Sequence, residues 1–192
     1  MARPKQFDPD RAVEQAMDVF WRKGYASTTP QDLVDALGIG KGSLYNAFGS
    51  KHALFELALR RYRDSQAAAL IAMLEQSGPV KERLREALVL LVEMDLADPD
   101  RRGCMGVNTA AELGGADAVA TELVRRMFDR TEEAFAALVE KGQRAGEIDP
   151  GRDARAVGSL LLNTVVGLRL MARVAEGPER LSRTVDALLD SL

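Results

Sequence analysis

Three glycines, a lysine and a serine fall within six consecutive residues of the chain, GIGKGS at residues 38–43. Glycine allows a backbone to approach a phosphate group closely, and the side chains of lysine and serine donate hydrogen bonds to phosphate oxygens. Two kinds of site combine these residues: a loop that binds the phosphates of a nucleotide, and the turn of a helical module that binds DNA. The spacing and the flanking segments distinguish the two.

The spacing disfavours both common nucleotide motifs. A P-loop has the pattern G-x-x-x-x-G-K-[ST], in which lysine directly precedes the hydroxyl residue, whereas Gly42 separates Lys41 from Ser43 here. A dinucleotide-binding loop has the pattern G-x-G-x-x-G after a β-strand. The present run is G-x-G-x-G, and it follows a segment whose Thr29 and Pro30 are typical of the start of a helix.

A helix-turn-helix accounts for the same residues better. We predict a helix from Pro30, a turn at Gly38 that requires a positive φ, and a second short helix over residues 41–47. With Leu33 and Leu44 facing the core, the outward positions at the start of the second helix are Lys41, Gly42, Ser43, Tyr45 and Asn46. Small side chains there permit close approach to the major groove, and the polar side chains can reach phosphates or base edges.

The segment TTPQDLVDALGIGKGSLYNAFGSKHALF, residues 28–55, resembles the DNA-binding signature of the TetR/AcrR family of transcriptional repressors. The resemblance implies a double-stranded DNA operator as partner, with Thr29, Tyr45 and Lys51 on phosphates and residues 41–46 on bases. Many relatives carry a serine or threonine cap at the position of Gly40 and a polar residue at the position of Ala47. These departures leave the operator sequence open.

The whole chain has helical signals. It is rich in good helix formers, and no segment alternates Val, Ile and Thr in the manner of a β-strand. We predict an all-α fold of about nine helices. A helix-turn-helix DNA-binding domain would occupy residues 1–52, and a helical ligand-binding and dimerisation domain would occupy residues 53–192.

Dimerisation is implied by the resemblance, which pairs the last two long helices across a two-fold axis. The sequence allows this pairing, because both helices carry more apolar residues than one internal face needs. The predicted interface residues of this homodimer are Leu161, Leu162, Val165, Leu168, Leu181, Val185 and Leu188. The alternative is a core formed entirely within one chain.

A small-molecule inducer is also implied by the resemblance, and its identity is open. The predicted pocket residues are Met94, Cys104, Met105, Asn108, Phe128, Phe135 and Asn163. The segment at residues 102–115 further resembles a branch of the family in which a Gly-Cys pair opens a helix and a few relatives sense electrophiles or oxidants. A helix N-terminus would stabilise the thiolate of Cys104 for that role, and the alternative is a small packed side chain.

These observations predict a repressor that a small inducer releases from a palindromic operator. The alternatives are a thiol-based sensor that acts through Cys104 and a helical interaction protein without DNA binding. An enzyme is not expected, because the chain has a single histidine, His52, and lacks the H-E-x-x-H and G-x-S-x-G motifs. We expect neither a metal nor a cofactor.

Charge and cysteine content bear on the partner and the compartment. The first 52 residues, which include Arg3 and Lys5, hold slightly more basic than acidic residues, while the chain as a whole has a net charge of −3. A lone cysteine and the absence of a signal-peptide pattern at the N-terminus suit the cytoplasm. The most apolar run, residues 157–174, contains Asn163 and Arg169 and is expected to be a buried helix or an oligomer interface and not a membrane span.

Overall fold

The computed structural model describes residues 8–192, and these form nine α-helices and no β-strand. The helices are α1 (Pro9–Lys23), α2 (Pro30–Leu37), α3 (Lys41–Phe48), α4 (Lys51–Leu74), α5 (Val80–Ala97), α6 (Met105–Leu113), α7 (Ala118–Arg144), α8 (Ala154–Met171) and α9 (Glu179–Asp190). The predicted all-α fold is therefore confirmed. Arg3 and Lys5 lie outside the described residues.

The ends of the first helices follow signals in the sequence. Asp8 caps α1, and Ser50 caps α4 by accepting a hydrogen bond from a backbone N–H at 3.0 Å. Thr29 and Asp32 cap α2 reciprocally: the Thr29 side chain accepts from the Asp32 N–H, and the Asp32 side chain accepts from the Thr29 N–H. Gly38 ends α2 with a φ of 63°, a left-handed conformation that glycine adopts without steric cost.

Two apolar cores hold the helices together. The first contains α1–α3, the N-terminal half of α4, and parts of α6 and α7, whereas the second contains α5, α8, α9 and the C-terminal half of α7. Leu54, Phe55 and Tyr62 of α4 are fully buried in the first core, so α4 packs continuously across the predicted boundary at residues 52 and 53. The division into domains at that point stays a prediction.

The seven predicted dimer-interface side chains are buried within a single chain, and their place in an interface stays a prediction. Leu161, Leu162, Val165, Leu168, Leu181, Val185 and Leu188 are each 9% exposed or less within a single chain. These apolar side chains pack within the chain, because α5, α7, α8 and α9 share the second core. These side chains therefore do not present free surface to a second copy. The exposed apolar residues of the same region are Leu160, Leu170, Met171 and Val174.

Helix α8 is the one helix in residues 8–192 that length and composition alone would allow to cross a membrane. It packs closely against α7: a Cβ atom at Gly158 would lie 3.0 Å from the carbonyl oxygen of Glu132. Six of its residues are buried in the chain's own core. This packing agrees with the predicted buried helix.

Candidate nucleic-acid interface and apolar pocket

Helix α3 exposes a row of hydrogen-bond donors. Leu44, which is 2% exposed, fixes the helix against the first core, and the opposite face is left to solvent. Lys41, Gly42, Ser43 and Asn46 are exposed and Tyr45 is half-buried, as predicted. Among the described side chains, which leave out residues 66 and 67, none forms a hydrogen bond with the side chains of the four residues other than glycine, so their polar groups remain available to an external partner.

The N-terminal turn of α3 adds backbone donors to this face. Gly40 occupies the capping position without a side-chain hydrogen bond, so the first N–H groups of the helix are not covered by a cap. A Cβ atom at Gly42 would meet no heavy atom within 4 Å, so this position is open to a close neighbour. Such a helix start favours anions through its N–H groups and its dipole.

Thr29 and Lys51, the other two predicted DNA contacts, are engaged within the chain. The Thr29 hydroxyl donates to the Asp32 carboxylate at 2.8 Å. The Lys51 ammonium donates to the backbone carbonyls of Tyr25 and Thr28, both at 2.9 Å, and lies 4.3 Å from the centre of the Tyr25 ring. Lys51 therefore ties the start of α4 to the loop between α1 and α2, with one N–H left over. Contacts of both residues with phosphate stay predictions.

Asp32 connects this region to α1. Its carboxylate accepts a hydrogen bond from the Lys23 ammonium at 2.6 Å. That bond, followed by the bonds from Thr29, lowers the pKa of the Asp32 carboxyl to about 2. Asp32 is consequently ionised at neutral pH and keeps the cap of α2 intact.

Glu112 of α6 holds the loop between α1 and α2, and this role was not predicted from the sequence. Its carboxylate accepts hydrogen bonds from the backbone N–H groups of Tyr25 at 2.9 Å and Ala26 at 2.6 Å. The partners are 87 and 86 residues apart in the chain, and no local pattern predicts such a contact. Glu112 therefore links the helix-turn-helix to α6.

An apolar pocket lies among α4, α5, α6, α7 and α8. Its volume is about 110 Å³, and its wall is formed by Tyr62, Ala69, Leu70, Met73, Leu91, Met94, Cys104, Val107, Met127, Phe128, Thr131, Leu162, Val165, Val166 and Arg169. Among the predicted ligand residues, Met94, Cys104 and Phe128 belong to this wall. Leu162 and Val165, predicted for the dimer interface, also belong to it.

The other four predicted ligand residues lie outside this wall, and their contact with a ligand stays a prediction. Asn108 donates to the Arg102 carbonyl and accepts from Arg173, both at 2.8 Å. Phe135 is fully buried in the second core, and Asn163 is exposed and donates to the Ser159 carbonyl. Met105 is buried in the first core without contributing to the pocket wall.

Arg169 and Asp95 form a buried ion pair at the pocket. Arg169 donates to both carboxylate oxygens of Asp95, at 2.8 and 2.9 Å, and their side chains are 11% and 7% exposed. Burial acts to lower the pKa of Arg169, but the hydrogen bonds to Asp95 together with the electrostatic interactions with Tyr62, Cys104 and Asp95 outweigh it, and the pKa lies above its ordinary value. Arg169 was noticed in the sequence only as a charge in an apolar run; its partner could not be identified there.

Tyr62 and Cys104 meet at the edge of the same pocket. The Tyr62 hydroxyl donates to Cys104 Sγ at 3.4 Å and accepts from the Met105 N–H at 3.1 Å. Burial, together with the adjacent Cys104, raises the pKa of Tyr62 well above its ordinary value. The hydroxyl is therefore a neutral donor at physiological pH.

The carbonyl of Gly103 joins the pocket to the DNA-binding helices. It accepts from the indole N–H of Trp21 in α1 at 3.1 Å and from Arg169 Nη2 at 3.2 Å. The neighbouring Arg102 lies 4.3 Å from the centre of the Trp21 ring and pairs with Asp18 of α1 at 2.8 Å. A displacement of Arg169 would therefore act on α1 through the hydrogen bonds that Arg169 and Trp21 both donate to the Gly103 carbonyl.

Two family models match the chain. The model described as "Bacterial regulatory proteins, tetR family" matches residues 12–58, and the model described as "Tetracyclin repressor-like, C-terminal domain" matches residues 80–188. The first range contains the helix-turn-helix, and the second runs from the start of α5 into α9. These matches confirm the resemblance seen in residues 28–55.

Relatives match over nearly their whole length. The uncharacterised HTH-type transcriptional regulator YezE of Bacillus subtilis (strain 168) is 32% identical, and the match covers 100% of both chains. The HTH-type transcriptional repressor ComR of Escherichia coli (strain K12) is 31% identical over 97% of this chain and 90% of ComR. A cysteine mutant of the TetR family regulator CifR, solved with 26-base-pair operator DNA, has a TM-score of 0.85 and 28% identity, with 99% of each chain covered.

Proposed function

Since the chain belongs to the TetR family of bacterial transcriptional regulators, we propose that it is a repressor that binds a palindromic operator through α3 and leaves it when a small molecule fills the pocket. The observation that carries this proposal is the exposed, unpaired row of donors on α3, backed by the buried Leu44. ComR is named a repressor and CifR was solved on operator DNA, which supports the same activity here. No catalytic step is assigned to the chain.

DNA recognition would divide between the two ends of α3. Lys41 and the N–H groups of the first turn suit phosphate oxygens, because a helix start and an ammonium group both attract anions. Tyr45 and Asn46 lie farther along the helix, where a recognition helix contacts base edges or the backbone. Neutralisation of phosphates releases counterions, so the affinity is expected to fall steeply as the salt concentration rises.

A homodimer would supply the two-fold symmetry of the operator. The exposed apolar residues Leu160, Leu170 and Val174 lie at intervals of ten and four residues, which keeps them on one side of α8 and its extension. Gly167 lies between them, and a Cβ atom there would meet nothing within 4 Å. An open apolar stripe of this kind suits a second copy of the same helix and lies on the opposite side of α8 from the buried residues predicted for the interface.

Coupling between pocket and operator would pass through residues 102–104 and α6. The Gly103 carbonyl bonds both Arg169 of the pocket and Trp21 of α1, and Glu112 of α6 holds the loop before α2. A ligand that prefers a different position of Arg169 or α6 would shift the dimer toward a spacing of the two α3 helices that does not fit DNA. A nearly complete switch requires about 5.5 kcal/mol of preferential binding to one state.

Cys104 favours a second candidate, a repressor released by chemical modification of its thiol. The observation behind it is that Cys104 lines the pocket and its sulfur accepts a hydrogen bond from Tyr62. The first candidate, release by a small molecule that fills the pocket, needs no reactive thiol and uses the whole apolar wall. Both candidates place the repressor in the cytoplasm, where DNA is present and a free cysteine stays reduced.

The test of the proposed function is selection of binding sites from random double-stranded DNA by the full chain. The expected result is enrichment of a palindrome whose half-sites are about one helical turn or more apart. A parallel selection without protein is the control. Recovery of no common sequence, with the chain folded and soluble, would favour a helical interaction protein without specific DNA binding.

A further inference from the structure

The positive charge of Arg169 in the pocket wall is neutralised by Asp95, which does not line the pocket. In the part of the chain that the structure describes, Arg169 is the only charged residue among those lining the pocket. Asp95, which is 6% exposed, accepts two hydrogen bonds from it, at 2.8 and 2.9 Å. The pocket therefore combines an apolar wall with a net charge of zero.

We propose that this pocket selects a compact, uncharged and largely apolar molecule that carries one hydrogen-bond acceptor. The inference rests on the proposed function, because it specifies the effector of the same pocket. A cavity of about 150 Å³ holds a benzene molecule. The volume here is about 110 Å³, which is smaller, so a ligand larger than one six-membered ring does not fit unless the wall moves.

A charged ligand is disfavoured by the ion pair. A carboxylate in the pocket would add one negative charge to a neutral, buried site unless Asp95 gave up Arg169. Separation of a buried, hydrogen-bonded pair is strongly unfavourable, because it leaves a charge without a partner. A cation would face the guanidinium of Arg169 directly and is disfavoured more strongly.

Two donors in the wall are suited to one acceptor on the ligand. Arg169 uses Nε and Nη2 for Asp95 and Gly103, while Nη1 makes no hydrogen bond to any group that the structure describes, a set that leaves out the side chains of residues 66 and 67. The Tyr62 hydroxyl donates only to sulfur, at 3.4 Å, and a sulfur atom is a weak acceptor. The Thr131 hydroxyl, by contrast, already donates to the Met127 carbonyl at 3.0 Å. A ketone or ether oxygen near Tyr62 and Arg169 would therefore form a better hydrogen bond than the one it replaces.

The test compares three molecules that share one ring and differ in charge: cyclohexanone, cyclohexanecarboxylate and cyclohexylammonium. Binding to the full chain is measured at neutral pH, without DNA, by the shift in Tm and by titration of the Trp21 fluorescence. Trp21 is the only tryptophan and bonds to Gly103 beside the pocket. We expect cyclohexanone to bind, and each ion to bind weaker by on the order of tenfold or more. Equal or tighter binding of the carboxylate, or no binding of the ketone, would overturn the proposal.

Three variants locate and explain the selectivity. Val166→Phe fills the pocket and should abolish binding of the ketone; retained binding would place the ligand elsewhere and overturn the proposal. Asp95→Asn leaves Arg169 without its counter-charge and should increase binding of the carboxylate by on the order of tenfold. Asp186→Asn is the matched control, since Asp186 pairs with Arg85 on the exposed surface, and it should bind all three molecules like the original chain.

The outcomes remain separable if a variant does not fold or if the regulator proposal fails. The comparison of the three molecules on the unaltered chain tests the preference of the pocket for an uncharged ligand without any variant. Operator binding that persists while the ketone does not bind overturns this inference alone. Ketone binding by a chain that selects no DNA sequence overturns the proposed function alone.

Discussion

Cys104 shows how one side chain separates the two candidate release mechanisms. It occupies the capping position of α6 without a side-chain capping bond, and it accepts a hydrogen bond from Tyr62. Serine keeps an acceptor for Tyr62 and is a better helix cap, so Cys104→Ser is expected to stabilise the chain by up to about 1 kcal/mol. We expect the unaltered chain and Cys104→Ser both to remain bound to the operator after treatment with hydrogen peroxide, as measured by gel shift. Cys104→Ala, which has no capping side chain, is the control. Release of the unaltered chain alone would instead favour the thiol-based sensor.

Helix α8 has two faces with different tasks. One face is buried in the second core, and the other exposes Leu160 and Leu170, with the exposed Val174 in the turn that follows the helix. Leu170 is 48% exposed, so if this face joins two copies, Leu170→Asp removes about 1 kcal/mol of apolar burial from each copy and places a charge in the interface. The variant is therefore expected to be a monomer by analytical ultracentrifugation at concentrations where the original chain is a dimer. Leu57→Asp, on the exposed surface of α4, is the matched control and should leave the dimer intact. A dimer that survives Leu170→Asp would place the interface on another surface.

Over the whole molecule, predictions from sequence succeeded where local signals decide the structure. Thr29, Pro30 and Gly38 specify the start and end of α2 by capping, fixed φ and positive φ, and each was recognisable without knowledge of the fold. The neighbouring helix that covers each apolar face, by contrast, could not be recognised from the sequence. The buried residues of α8 and α9 have intramolecular partners in α5 and α7, and these partners cannot be identified from periodicity alone.

The candidate site shows the same division between local and long-range determinants. The exposed side of α3 followed from the position of Leu44, since residues on a short helix have fixed relative directions. The pair Arg169–Asp95 and the contact of Glu112 with the loop before α2 join residues 74 or more positions apart. Only the packing of the complete chain brings these groups together, which is why the polar part of the pocket and its connection to α1 were not predicted.

The most direct test of the account is the operator affinity of the double variant Lys41→Ala, Tyr45→Ala, measured by gel-shift titration on a sequence selected by the original chain. Lys41 is exposed and Tyr45 is half-buried, so the variant is expected to keep its Tm. It should lose operator binding, because the phosphate contact of Lys41 is removed together with the contact of Tyr45, which costs about 1–3 kcal/mol where it reaches a base. Lys141→Ala, an exposed lysine in the last turn of α7, is the matched control and should bind like the original chain. Undiminished specific binding by a folded double variant would contradict the assignment of α3 as the recognition helix.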